Sequence, residues 1–239
     1  MKIKRIIALT VLSIILCATI VFGMRDGKDE YFTKSFTLSL GITPDETIYI
    51  ENIDGNISIS SWEKNEVYVE ATLEMINVDD KNKNLFSKET EVEIEPYRDG
   101  YRIVVDVPEG LDIEKKGLSG AVRGFVEEIS RGRWIYRPTA EIDLDVTLPQ
   151  NVSLDVENSY GDVEIEGITG EIDVVNESGA ITIRGCKGDI LAENSYGDLL
   201  ISDCKGDVEV ESNSGEAIVE DITGTVEVET SYKTVDVRR

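Results

Sequence analysis

From Gly161 onward, glycine recurs every eighteen residues in two series. One is Gly161, Gly179, Gly197 and Gly215; the other, offset by nine, is Gly170, Gly188, Gly206 and Gly224. No other feature restricts the fold so tightly. A fixed period near twenty marks stacked units, each too small to bury a core by itself. Residues 153–239 can be written as five rows of eighteen, the last one shorter. Each row holds two half-rows in which apolar residues alternate with acidic or hydroxyl residues: Leu154/Val156 then Val163/Ile165, Ile172/Val174 then Ile181/Ile183, Ile190/Ala192 then Leu199/Ile201. Alternation at period two, rich in β-branched residues, is a strand signal. No row carries an apolar stripe at helical spacing.

The hexapeptide ENSYGD occurs at 157–162 and again at 193–198. In the eighteen-residue register its asparagine falls in a column of Asn158, Asn176, Asn194, Ser212 and Thr230. Its tyrosine falls in a column where Tyr160, Ser178, Tyr196, Ser214 and Tyr232 alternate large and small. A repeated polar corner of this kind suits a hydrogen-bonded ladder between stacked turns. The pattern predicts an all-β, single-domain parallel β-solenoid, similar to a β-helix or β-roll. Its eighteen-residue coils would stack about 4.8 Å apart. The segment IYIENIDGNISI (48–59) matches LDVENSYGDVEI (154–165) nearly position for position and reads as a first coil, separated from the rest by an insertion. The solenoid domain is placed at residues 44–239 and a linker at 24–43. Within the insertion, strands are expected near Val67–Thr72, Val92–Glu95, Tyr101–Val107 and Ile142–Leu148, with Lys81–Asn84 as a polar turn or loop.

One helical stripe stands out: Leu118, Ala121, Val122, Phe125, Val126 and Ile129, spaced by three and four. It lies in a basic insertion, 115–137, with Lys115, Lys116, Arg123, Arg131, Arg133 and Arg137 around Trp134 and Tyr136. These eight residues form a candidate interaction patch for an acidic partner or an anionic membrane surface. The alternative is a helix that caps the stack and pairs its arginines with the protein's own acidic face.

Charge and composition exclude more than they assign. The chain has 24 basic and 48 acidic residues, a net of −24, and no histidine. A surface so acidic argues against nucleic acid as a partner. Without histidine the commonest general base, the usual zinc ligand and every Ser/His or Cys/His pair are missing. In-register carboxylates (Glu157, Glu193, Glu211, Glu229; Asp162, Asp198, Glu216) could attract calcium. The corners have one glycine where a calcium-binding β-roll has a GGxGxD turn, and a solvated acidic face is the plain reading. Tyr160, Tyr196 and Tyr232 could make a sugar-stacking stripe or pack at the corners. Cys186 and Cys204 share one column, close enough for a disulfide and equally suited to being buried thiols. No catalytic residue, metal or cofactor is expected.

At the amino end, Lys2, Lys4 and Arg5 precede an apolar run, Ile6–Phe22, followed by Gly23. Residues 1–23 read either as a secretory signal peptide or as a retained membrane anchor, and both export the rest.

The segments TLPQNVSLDVENSYGDVEIEGITG and ETIYIENIDGNISISSWEKNEVYVEA resemble the putative-adhesin family of β-strand-repeat proteins, over about residues 44–239. The resemblance implies an exported or membrane-anchored prokaryotic β-solenoid of undefined activity. It transfers no functional residue, and the basic insertion departs from the family's plain strand pattern. The leading expectation is a non-catalytic cell-envelope scaffold or adhesin whose partner is a protein or glycan, or a membrane surface. The alternatives are a membrane-tethered accessory of an envelope-stress signalling system and a glycan-acting β-helix enzyme.

Overall fold

The computed structural model describes residues 19–25, 29–76, 78–108, 139–231 and 235–238. In chain order these form β1 (Thr19–Arg25), β2 (Asp29–Gly41), β3 (Thr47–Asp54), β4 (Ile57–Trp62), β5 (Glu66–Ile76), α1 (Asp80–Glu89), β6 (Glu91–Tyr97), β7 (Gly100–Asp106) and β8 (Thr139–Pro149). The repeat rows follow as pairs of strands: β9 (Ser153–Tyr160) and β10 (Val163–Glu166), β11 (Ile172–Ser178) and β12 (Ile181–Arg184), β13 (Ile190–Tyr196) and β14 (Leu199–Ser202). The last two pairs are β15 (Val208–Ser212) and β16 (Ala217–Glu220), then β17 (Val226–Thr230) and β18 (Val235–Arg238).

The protein is mostly β, in two sheets of mixed strand orientation. One has ten strands in the order β1-β2-β5-β8-β4-β10-β12-β14-β16-β18. The other has eight, β17-β15-β13-β11-β9-β3-β7-β6. Pairing among the repeat rows is parallel and steps by eighteen: Ile172 lies against Ile190 and Leu154, and Val174 against Ala192 and Val156. The first strand of each row joins the eight-stranded sheet and the second joins the ten-stranded one. Inward-facing side chains of both sheets (Val156, Val174, Ala192 and Val210 against Ile165, Ile183, Ile201 and Val219) make one buried core. The match between the two halves of the chain is structural as well. β3 pairs parallel with β9, setting Ile48 on Leu154, Glu51 on Glu157 and Asn52 on Asn158.

The period of eighteen comes from the corners. A Cβ on Gly179 would stand 2.0 Å from the carbonyl oxygen of Gly161, and one on Gly197 the same distance from that of Gly179. The turns stack backbone on backbone, which leaves room only for hydrogen. A second corner needs left-handed backbone, supplied by Gly167 and Gly185 in two rows and by Asp203 (φ 56°) and Asp221 (φ 55°) in the next two. Aspartate is among the few side chains that accept it.

Two segments outside the repeat rows differ from the sequence reading. Within 24–43, the stretch expected as a linker, Asp29–Gly41 is β2, paired antiparallel with β5, and Phe32, Phe36, Leu38 and Leu40 are buried. The polar stretch Lys81–Asn84 is not a turn but part of α1. Asp79 caps that helix, its carboxylate accepting from the Asn82 backbone N–H at 2.8 Å. At the other end Lys34 Nζ donates to the carbonyls of Ser87 (2.8 Å) and Thr90 (3.3 Å), closing the helix terminus. The expected strands over 67–72, 92–95, 101–107 and 142–148 are present as β5, β6, β7 and β8. Pro96 sits in β6, an edge strand, where a missing N–H is tolerated.

Of the amino-terminal run, only its last residues are described, in β1, which pairs antiparallel with β2. The helical stripe at 118–129 lies outside the described residues. Among those described, no helix is long and apolar enough to cross a membrane.

Candidate interaction face

Every residue of the predicted basic patch (Lys115, Lys116, Arg123, Arg131, Arg133, Trp134, Tyr136 and Arg137) lies outside the described residues. What the structure does bring together is an acidic surface. On the outer face of the eight-stranded sheet, the register aligns Glu51, Glu157, Val175, Glu193, Glu211 and Glu229 in one column. Beside it run Asp155, Asp173, Leu191, Glu209 and Glu227. Strands β9, β11, β13, β15 and β17 contain no lysine or arginine. A groove of about 440 Å³ follows this face, with Asp173, Asp189, Asp207, Glu209 and Glu227 among its walls.

Carboxylates stacked at the strand spacing repel one another, and the structure registers it. Asp173 is held above the usual carboxylate range by burial and then by Asp155. Glu193 is raised by burial first, then by Glu211, Asp173 and Glu209. Asp155 is raised chiefly by burial, with Arg98 opposing. Arg98 belongs to a cationic knot at the far end of the sheet. It lies over Tyr49 and Tyr97, and Arg102 bridges Glu51 at 3.5 Å and pairs with Glu95. The sheet is therefore polarised, with its cations at the β6–β7 end and bare carboxylates along the repeat rows.

The second set of carboxylates does a different job. Asp162 Oδ1 accepts from the backbone N–H of Ala180 (2.8 Å) and Asp198 Oδ1 from that of Glu216 (2.9 Å). Asp189 and Asp207 do the same for Asp207 and Thr225 at the opposite corner, at 3.0 and 2.8 Å. These aspartates tie each turn to the one stacked on it, so their oxygens are committed to the fold. Among the described residues no group of three or more Asp, Glu or Cys side chains is arranged to hold a metal ion.

The asparagine column is buried as a ladder. Asn176 Nδ2 donates to the Gly161 carbonyl and Asn194 Nδ2 to that of Gly179, both at 3.0 Å. Tyr160, Ser178 and Tyr196 stand in one register column, with Tyr196 55% exposed. Cys186 and Cys204 are free, buried thiols. They donate to the carbonyls of Arg184 (3.3 Å) and Ser202 (3.1 Å), and a hydrogen bond with Cys204 together with burial pushes the Cys186 thiol up.

One carboxylate cluster was not foreseen. At the corner before Gly55, burial and then Glu141 and Asp143 raise Asp54 to about 6. The folded state thus holds a proton that the unfolded chain releases near pH 4. Stability falls as pH rises from about 4 to about 6, and stays lower above that. Asp54 is only partly buried, so solvent screening reduces the effect to about 1–2 kcal/mol. Asp54→Asn is expected to stabilise the protein by about 1 kcal/mol at pH 7.5 and to change little at pH 4. Urea unfolding at both pH values measures it, and an equal shift at the two would contradict the assignment.

No protein family and no curated protein sequence matches the chain. Among solved structures it is similar to a putative cell adhesion protein from Clostridium sporogenes (10% identity, 86% of this chain and 99% of that one, TM-score 0.35). It is also similar to a putative adhesin from Bacteroides fragilis (12% identity, 90% and 95%, TM-score 0.43). A third is a putative lipid binding protein from Parabacteroides distasonis (11% identity, 85% and 96%, TM-score 0.23). Superpositions this loose transfer no function.

Proposed function

We propose that the chain is a non-catalytic, adhesin-like scaffold of the cell envelope, a β-solenoid whose acidic sheet face engages a cationic partner. The solenoid reading is supported by parallel pairing at a constant step of eighteen through five rows. Export is supported by Lys2, Lys4 and Arg5 ahead of the apolar run Ile6–Phe22. The observation that carries the functional reading is the outer face of β9, β11, β13, β15 and β17. It offers two columns of carboxylates on strands that contain no lysine or arginine of their own.

Such a face raises the local concentration of cations and steers an oppositely charged partner onto itself. Rigid strands hold the charges at fixed spacing, so an extended amine-bearing polymer meets them in register at little ordering cost. The test is fluorescence anisotropy with a labelled oligolysine peptide. Binding is expected to weaken steeply between about 20 and 200 mM salt, as exposed charges are screened. The triple variant Glu193→Gln/Glu209→Gln/Glu211→Gln is expected to bind about tenfold more weakly, each exposed pair contributing up to about 1 kcal/mol. Glu164→Gln/Glu166→Gln/Glu220→Gln, on the other sheet, serves as the charge-matched control. Equal losses from both variants would show net charge rather than the face to be responsible.

A further inference from the structure

We propose that Cys186 and Cys204 close a disulfide that cross-links two neighbouring rows at the corner where the stack is held least. The structure shows the pair in its dithiol form, both residues 1% exposed. Each cysteine follows the second strand of its row, Cys186 after β12 and Cys204 after β14. The next residues, Lys187 and Lys205, pair as a parallel bridge, and the Lys205 N–H donates to the Cys186 carbonyl at 3.0 Å. The cysteines are therefore direct neighbours across the rows. Rows about 4.8 Å apart put their Cα atoms inside the span of about 4.4–6.8 Å that a disulfide bridges. The sulfur of one also reaches the other row: Cys204 Sγ accepts from the Cys186 backbone N–H at 3.4 Å.

The position in the stack gives the bond something to do. At the first corner the asparagine ladder, Asp162 and Asp198 tie row to row. At the third, Asp189 and Asp207 do the same. The second corner is the one that passes through Gly185 and Asp203. Among the described residues no aspartate or asparagine side chain bridges the rows there. Its backbone bonds are longer too. Gly185 N–H to Ser202 O is 3.1 Å and Asp203 N–H to Glu220 O is 3.3 Å, against 2.8 Å for Gly179 to Tyr196 and for Gly188 to Lys205. A covalent bond between Cys186 and Cys204 supplies the missing tie.

The chemistry is thiol–disulfide exchange with an oxidising disulfide as co-reactant. A hydrogen bond with the Cys186 thiol draws Cys204 below the usual thiol range, and the thiolate is the attacking form. The Cys204 sulfur attacks one sulfur of the oxidant and expels a thiolate. The Cys186 thiol gives its proton to that thiolate, attacks the Cys204 sulfur and expels the second. Two cysteine thiols are oxidised to one S–S bond, and the oxidant is reduced to two thiols. The two thiol-to-carbonyl bonds given up are a small loss, because S–H is a weak donor. Burial means that exchange takes place while the rows close or when this corner opens, and that the finished bond is shielded from reductants. Disulfides persist outside the cell. The bond's presence in the living cell therefore rests on the export reading; its fit to the fold does not.

The test uses the full chain with Cys17→Ser, which removes the third thiol. One sample is held with oxidised glutathione just below the melting point, where the corners open transiently, and another with dithiothreitol. The oxidised sample is expected to be about 2 Da lighter and, once denatured, to take up no N-ethylmaleimide. It is expected to melt about 6–12 °C higher, as a closed loop of this length implies. Cys186→Ala and Cys204→Ala are each expected to melt alike in both samples; the unsubstituted pair of samples decides the matter even where those variants do not fold. Capture of both thiols by N-ethylmaleimide, glutathione retained on either cysteine, or an oxidised form that melts no higher than the reduced one would each overturn the proposal. So would a shift that survives in either alanine variant.

Discussion

Gly179→Ala is expected to destabilise the protein by more than about 4 kcal/mol, and Gly185→Ala by only about 1–2 kcal/mol. Both glycines have positive φ, 128° and 65° respectively. The difference is what a methyl group meets. At Gly179 it would stand 2.0 Å from the Gly161 oxygen and 2.5 Å from its carbonyl carbon, both backbone atoms of the neighbouring row. That row cannot retreat without breaking the bonds that pair it, among them Gly161 N–H to Ser178 O at 2.9 Å and Val163 N–H to Ala180 O at 2.8 Å. At Gly185 nothing lies within 4 Å, and only the left-handed backbone is penalised. Since ~1 kcal/mol moves the melting point by roughly 2–4 °C in a protein of this size, the first variant should melt about 8–16 °C lower or fail to fold. The second should lose only a few degrees. Equal losses at the two sites would mean that the corners are not stacked as tightly as described.

That contrast also marks how far the sequence could be read. The eighteen-residue glycine series reported the close stacking of Gly161, Gly179 and Gly197 because only one residue type survives there, so the register was visible in the letters alone. The strands of the repeat rows were visible for the same reason, since a slip by one residue would turn Val174 and Ala192 out to solvent. β2 was missed although its signal was present. Phe32, Phe36, Leu38 and Leu40 alternate, but Lys34 interrupts the series, its amine committed to the end of α1. α1 itself has almost no apolar face; only Phe86 is buried, and the cue that could have found it is the cap at Asp79. The roles of the carboxylates were not legible. Asp162 and Glu157 are both acidic residues of the same repeated hexapeptide. Which one ties down a backbone N–H and which one faces solvent depends on the path of the next row. The Asp54 cluster joins residues almost ninety positions apart, through a strand that returns after the insertion.

Asn176→Asp should be the most informative substitution in the ladder, because it changes charge with almost no change in shape. Asn176 is 1% exposed. Its Nδ2 donates to the Gly161 carbonyl, and its Oδ1 has no hydrogen-bond partner among the described residues. An ionised carboxylate there would lose the donor, face a carbonyl oxygen and leave water, with Asn158 and Asn194 above and below and no cation in the column. Burying a charge without a partner costs about 3–5 kcal/mol. The group would escape by holding its proton, and the protonated acid can still donate to the Gly161 oxygen. Its folded-state pKa therefore lies above the unfolded value near 4. The sign follows: relative to wild type, the deficit should be about 1 kcal/mol near pH 4 and grow to the full 3–5 kcal/mol by pH 7. Asn213→Asp, exposed on the next column, should stay within about 0.5 kcal/mol of wild type at both pH values. Urea melts of the two variants at pH 4 and 7 separate the cases. A pH-independent loss at Asn176 would mean that water reaches the ladder and that the corner is not the dry, stacked element on which the fold is built.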